Sequence, residues 1–286
     1  MQKQALFLNR QMIFFDSHTH LMDEQYDGVR DEIIENARKN NVLYMTNIGY
    51  NKKTSIEAVR DANKYDGVYA AVGIHPENVN DLDDDFAFIY ELVKNPKVVA
   101  IGEIGLDYHY GGDKKKQKKI FIKQIEIANE LGKPVAIHSR DADMDMLEIL
   151  KNHKIENGFV MHCFSSSTEI LKEVLKLGAY VSIAGPVTFK NARSLIDVAK
   201  LVPEDKLLIE TDAPYLAPEP FRGKRNEAAY VVNTAQKIAD LRECSLEKIA
   251  EITTRNAKEF YRICTLGTCT LGTSLKSAKE CHRSAK

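Results

Sequence analysis

Eight short apolar runs, rich in Val, Ile, Leu, Ala, Tyr and Phe, alternate with longer polar segments of helical spacing. They span Met12–Asp16, Leu43–Ile48, Val68–Ile74, Val98–Glu103, Pro134–His138, Gly158–His162, Tyr180–Ala184 and Leu207–Asp212, with successive ends 22 to 35 residues apart. That distance accommodates one strand, one helix and two loops. Runs such as 97–102 are continuously apolar, which suits parallel strands covered on both faces. Eight such units predict an α/β fold of the (β/α)8 TIM-barrel type, a single domain over residues 12–262 with short extensions at 1–11 and 263–286. An open doubly wound sheet is the competing arrangement. Eight regular repeats fill the length and bring the polar residues together only in a barrel.

Amphipathic helices are expected over Asp31–Asn40, Ser55–Lys64, Gln117–Leu131, Thr168–Leu177 and Asn191–Leu201. Ser166 to Glu169 fits a capping box, and Gly178 stops the helix that follows. The tail repeats Cys264–Thr268 directly as Cys269–Thr273 and is read as an unstructured extension, as are residues 1–11. The odd count of five cysteines, three of them in this tail, points to reduced thiols. No apolar run approaches the roughly 20 residues of a membrane span, and the opening segment is too interrupted for a signal peptide, so a soluble, cytoplasmic protein is expected. With 40 Lys and Arg against 41 Asp and Glu, no overall basic field draws it to nucleic acid. A polyanion must be gripped locally.

His18 and His20 follow the first run, and alternate side chains there can share one ion. Glu103 ends the fourth run, His138 the fifth, His162 the sixth and Asp212 the eighth, the first three each being the first ionisable side chain after an apolar stretch and Asp212 following Glu210 by two residues. In a barrel these ends converge on the face that carries chemistry. Four histidines and two carboxylates exceed the needs of one tetrahedral ion, and Glu103 can bridge two through its two oxygens. Two divalent ions are therefore expected, with Mg, Mn and Zn all open, and hydrolysis follows more naturally than redox chemistry. Asp212 is expected to act also as general base, and Asp16 to accept from an imidazole N–H. His75 and Arg140 are expected to contact substrate phosphate, and Lys224 and Arg225, in the basic run Arg222–Arg225, to follow a nucleic-acid backbone. The run Lys114–Lys119 is read as a solvated helix start, Cys163 as a small buried thiol and Asp107 as a loop-holding residue.

Phe15-Asp-Ser-His-Thr-His-Leu21, Gly73-Ile-His-Pro76, Ile101-Gly-Glu-Ile-Gly-Leu-Asp-Tyr108, Ile137-His-Ser-Arg140, Met161-His-Cys-Phe164, Glu210-Thr-Asp-Ala-Pro214 and Arg222-Gly-Lys-Arg-Asn226 together resemble the TatD-type metal-dependent deoxyribonucleases. The resemblance runs from Met12 to Tyr261, departing at Met22 and Ala228. It implies an amidohydrolase-superfamily barrel, two divalent ions held by His18, His20, Glu103, His138, His162 and Asp212, and removal of nucleotides from 3′ ends of DNA; no obligate protein partner is evident in the sequence. Hydrolysis of another ester, such as D-aminoacyl-tRNA, is an activity also associated with this family. A catalytically silent barrel that binds nucleic acid is the other rival. Glu103, standing where related barrels often carry a carboxylated lysine, favours the nuclease.

Overall fold

The computed structural model describes residues 12–81 and 86–263; the expectations for residues 1–11 and for the tail from 264 onward lie outside the described residues. Eight strands form one sheet, β1 (Phe14–Thr19), β2 (Val42–Ile48), β3 (Val68–Val72), β4 (Val98–Asp107), β5 (Val135–Arg140), β6 (Phe159–Met161), β7 (Tyr180–Ile183) and β8 (Leu207–Ile209). Each pairs with the next in parallel, in sequence order. Parallel neighbours need crossovers, and helices supply them: α1 (Arg30–Lys39), α2 (Lys52–Lys64), α3 (Ala87–Leu92), α4 (Lys114–Glu130), α5 (Asp143–Asn152), α6 (Thr168–Lys176) and α7 (Arg193–Leu201). Helices α8 (Val231–Leu241) and α9 (Leu246–Phe260) follow β8. The fold is the expected (β/α)8 barrel. No described helix is long and apolar enough to cross a membrane.

Neighbouring strand residues divide between two apolar clusters, as a two-residue period requires. Phe14, Val135, Ile137, Leu207 and Ile209 belong to the large cluster shared with the helices. Phe15, Ala71, Ala100, Ala136, Val160 and Leu208 belong to a smaller one, closed by Phe260 and Tyr261 at the end of α9. This smaller set leads up to the polar residues of the mouth. Even steps carry Ala71 to His75, Ala136 to His138, Val160 to His162 and Leu208 to Asp212. For Phe15 to His18 and Ala100 to Glu103 the step is odd, and both strands carry a register irregularity there, between Asp16 and Thr19 in β1 and between Ile101 and Ile104 in β4. An irregularity of this kind re-aims a side chain.

The barrel closes on itself through few bonds. Among the described residues β1 and β8 are joined by one isolated bridge, Thr19 to Ala213, with His20 N–H donating to Ala213 O at 2.7 Å and Asp212 N–H to His18 O at 2.9 Å. Side chains complete the seam: Asp16 accepts from Thr211 N–H and Oγ1, and Ser17 Oγ donates to Ile209 O.

Local expectations need three corrections. Ser167, not Ser166, caps α6 by accepting from Ile170 N–H, while the Ser166 hydroxyl bonds Asp143; a proper capping box sits instead at Asn51 and Thr54 on α2. Helices α3, α5, α8 and α9 carry no expectation from the sequence reading. The strands at the site are also longer or shorter than read: β1 runs on through His18, β4 to Asp107 and β5 to Arg140, whereas β8 stops three residues before Asp212.

Candidate metal centre

All six expected ligands converge at the mouth of the barrel. Glu103 stands at the centre, buried, with its two oxygens facing different partners. Oε2 lies 3.4 Å from His18 Nε2 and 3.7 Å from His20 Nε2, while Oε1 lies 2.7 Å from His162 Nε2 and 2.9 Å from His138 Nδ1. Asp212 Oδ1 sits 3.3 Å from His20 Nε2 and 3.7 Å from His18 Nε2. Two atoms bound tetrahedrally to one ion at about 2.1 Å stand roughly 3.4 Å apart. Among the described residues three donor groupings meet within 4.8 Å: His18 with His162 and Asp212, His18 with His20 and Glu103, and His75 with Glu103 and His138.

Backbone geometry fixes these positions. Gly105 of β4 lies in register with His138 of β5, and a Cβ on it would stand 2.0 Å from His138 O, so only glycine lets β4 press this close beside the ligands. Asp212 adopts φ of 55° and Cys163 φ of 41°, left-handed conformations that turn the chain sharply at the ends of β8 and β6.

The residues fit a divalent cation. His18 is buried, and neither ring nitrogen has a hydrogen-bond partner among the described residues, a cost that a cation would remove. Burial would raise Glu103, but His162, His75 and His138 hold it well below the usual carboxylate range; burial would likewise raise Asp212, which His20, His162 and His18 hold low. Burial would lower His162, yet Glu103 and Glu210 push it well above the ordinary histidine value. Asp212 raises His20, and Asp107 with Glu103 raises His138, in the same way. Anionic carboxylates facing imidazoles that take up protons mark a place where positive charge is wanted.

Beyond the ligands, two acids do what the sequence left unread. Glu210 Oε1 accepts from His162 Nδ1–H at 3.2 Å and from Cys163 N–H at 2.7 Å. Asp107 Oδ2 accepts from His138 Nε2–H at 2.8 Å, and its Oδ1 does hold the loop, through His109 N–H. Anchoring one ring nitrogen dictates which one is offered to an ion. The Asp16 expectation is corrected: its carboxylate accepts from the backbone N–H of His18 and from Thr211, not from an imidazole. Parity along β8 would have flagged Glu210, two residues before Asp212 on the same face.

Above the ligands opens a cavity of about 890 Å³ lined by His75, Arg140, Tyr50, Tyr110 and Tyr215 among others. Arg140 lies over the Tyr110 ring and donates to its hydroxyl, and Tyr50 and Tyr215 flank His20 edge-on. His75 is neutral at ordinary pH, its imidazole pushed down to about 3 by burial. Lys224 and Arg225 do not line this cavity; Arg225 lies over the Tyr26 ring and donates to Gln25 O. Cys163 belongs to none of the donor groupings.

The sequence profile described as TatD related DNase matches residues 15–262, most of the chain. The chain belongs to the TatD family. It is 47% identical over 254 residues to the uncharacterized metal-dependent hydrolase YabD of Bacillus subtilis, covering 88% of this chain and 100% of that protein. With the uncharacterized metal-dependent hydrolase YcfH of Escherichia coli it shares 38% identity over 257 residues, 88% of this chain and 97% of that one. Among solved structures, the TatD homologue YJJV of Escherichia coli matches with a TM-score of 0.83 at 26% identity, covering 88% of this chain and 98% of that chain. This TatD-family chain is thus a metal-dependent hydrolase, and the buried cluster around Glu103 is where its TatD barrel gathers histidines and carboxylates that could hold a metal ion.

Proposed function

We propose that this hydrolase cleaves phosphodiester bonds of DNA, removing nucleotides from the 3′ end of a single strand with two divalent ions. The observation that carries this function is the division of Glu103, with Oε2 toward His18 and His20 and Oε1 toward His138 and His162. Two donor sets sharing one carboxylate suit a pair of ions flanking one phosphoryl centre. Ions held there supply Lewis-acid polarisation and make water nucleophilic near neutral pH. The chain's own groups do the rest. Asp212, held anionic by the neighbouring imidazoles, accepts the proton of the attacking water. Arg140, at the cavity wall, offers forked donors to nonbridging phosphate oxygens. The faces of Tyr50, Tyr110 and Tyr215 give sequence-tolerant stacking for bases, worth about 1–3 kcal/mol each.

Incubating the purified protein with 5′-labelled single-stranded DNA and Mn²⁺ or Mg²⁺ should yield a ladder of shortened strands, abolished by EDTA. No metal-dependent shortening, together with release of free amino acid from a D-aminoacyl-tRNA, would transfer the site to carboxylic-ester hydrolysis.

A further inference from the structure

The imidazoles around Glu103 are not equivalent, and their hydrogen bonds sort them. His20 Nδ1 faces a carbonyl, Ile48 O at 2.7 Å; His162 Nδ1 faces the Glu210 carboxylate at 3.2 Å; His138 Nε2 faces the Asp107 carboxylate at 2.8 Å. In all three an acceptor fixes one ring proton on the nitrogen away from Glu103 or Asp212, so the opposite nitrogen is the one that presents its lone pair once a cation displaces any proton there. At His75 the polarity is reversed. Its Nδ1 accepts from Glu77 N–H at 3.2 Å and so carries no proton itself, which makes the ring the neutral tautomer with its one proton on Nε2. That Nε2 lies 3.5 Å from Glu103 Oε1, and the ring lines the cavity above the ligands.

Ligation through His75 Nε2 would require the proton to move to Nδ1, where it would meet the Glu77 N–H head-on. The surrounding backbone does not yield easily. His75 N–H donates to Tyr50 O at 2.9 Å, and His75 O accepts from Asn78 N–H at 2.9 Å. Gln124 of α4 clamps the preceding residue from both sides, accepting from Ile74 N–H at 2.8 Å and donating to Ile74 O at 3.0 Å. Pro76 stiffens the next position.

We infer that His75 is not a metal ligand, although it falls in a donor grouping with Glu103 and His138, but a fixed neutral hydrogen-bond donor whose Nε2–H binds a nonbridging oxygen of the substrate phosphate. This assignment rests on the phosphodiester function proposed above. It gives the cavity a donor that carries no charge, placed before substrate arrives and so needing no reorganisation as negative charge builds on the phosphoryl group.

The test compares wild type with His75→Ala and His75→Gln; glutamine places an amide N–H near the position of the ring's Nε2–H. Calorimetry reads Mn²⁺ stoichiometry and Kd, inhibition by inorganic phosphate reads the anion contact, and kcat/KM is taken on a single-stranded oligonucleotide. His75→Ala should bind as many Mn²⁺ ions as wild type with Kd within about threefold, while kcat/KM falls about 100-fold and phosphate inhibition weakens about tenfold. His75→Gln should recover at least about tenfold of the lost kcat/KM. Loss of one Mn²⁺ equivalent in His75→Ala, unchanged phosphate inhibition, or a glutamine variant as impaired as the alanine one would overturn the assignment. A wild-type protein that hydrolyses no phosphodiester would instead sink the proposed function, and calorimetric titrations of Mn²⁺, and of inorganic phosphate into the Mn²⁺-loaded proteins, would still decide the role of His75.

Discussion

Glu210→Gln removes a charge from beside His162 while keeping the side chain's shape. Glu210 is fully buried, and Oε1 accepts both His162 Nδ1–H and Cys163 N–H. The amide oxygen can still take the Cys163 N–H, but it no longer holds His162 with an anion that sharpens the basicity of Nε2. Losing such an outer partner weakens metal binding by about 10- to 100-fold, or about 1.4 to 2.8 kcal/mol. With Mn²⁺ at about 100 times the wild-type Kd, binding stabilises the fold by about 2.7 kcal/mol. A Kd about 30-fold weaker leaves about 0.9 kcal/mol at the same concentration, so the increment shrinks by about 1.8 kcal/mol. Urea unfolding of both proteins, in EDTA and in Mn²⁺, gives the two increments directly, whatever the substitution does to the metal-free baseline. Equal increments, with equal calorimetric Kd values, would refute the claim that Glu210 acts through His162 on the metal.

Carboxylates hold the protons of metal-free His20, His138 and His162 more tightly than an ordinary imidazole does, so an entering ion competes with protons for these rings. Apparent Mn²⁺ affinity should therefore rise as pH climbs from 6.5, with proton release visible as a buffer-dependent calorimetric heat; a flat profile would contradict the raised values. In EDTA the sign reverses. A group raised in the folded state lends stability below its unfolded value and loses it as pH rises through the folded one, so the urea midpoint should fall from pH 6.5 upward. Tyr261→Phe deletes a buried hydroxyl that donates to Ser17 O at 2.7 Å, and should cost about 1–2 kcal/mol in denaturant unfolding while metal affinity holds. Arg140→Lys keeps the charge but loses the fork and the stacking on Tyr110; KM for single-stranded DNA should rise about tenfold with kcat little changed, and an unaltered KM would remove Arg140 from substrate binding.

The barrel was legible because eight apolar runs cannot be covered on both faces without alternating helices, and the ligands because each lies at or just beyond the end of such a run, Glu103, His138 and His162 as its first ionisable residue. Less visible was how they are aimed. Nothing in the spacing Phe15 to His18 or Ala100 to Glu103 announces an irregular register, since the odd step makes sense only against a neighbouring strand. Asp107 and Glu210 were underread for a related reason: a carboxylate's role in orienting an imidazole depends on a partner 31 or 48 residues away, and the chain order carries no such distance. Helix α3 has only six residues, too few to show a helical period, and α8 and α9 lie beyond the last strand, where no crossover demands a helix.

The thin join between β1 and β8 has a mechanical consequence. His18 and His20 stand on one side of it and Asp212 on the other, all within reach of one another. A cation gripped from both sides acts as a rivet across the gap, so the last staves of the barrel should exchange their amide hydrogens slowly when loaded and faster when stripped. Chemistry and cohesion then hang on the same few atoms, and an ion lost from the mouth loosens the hoop that holds it.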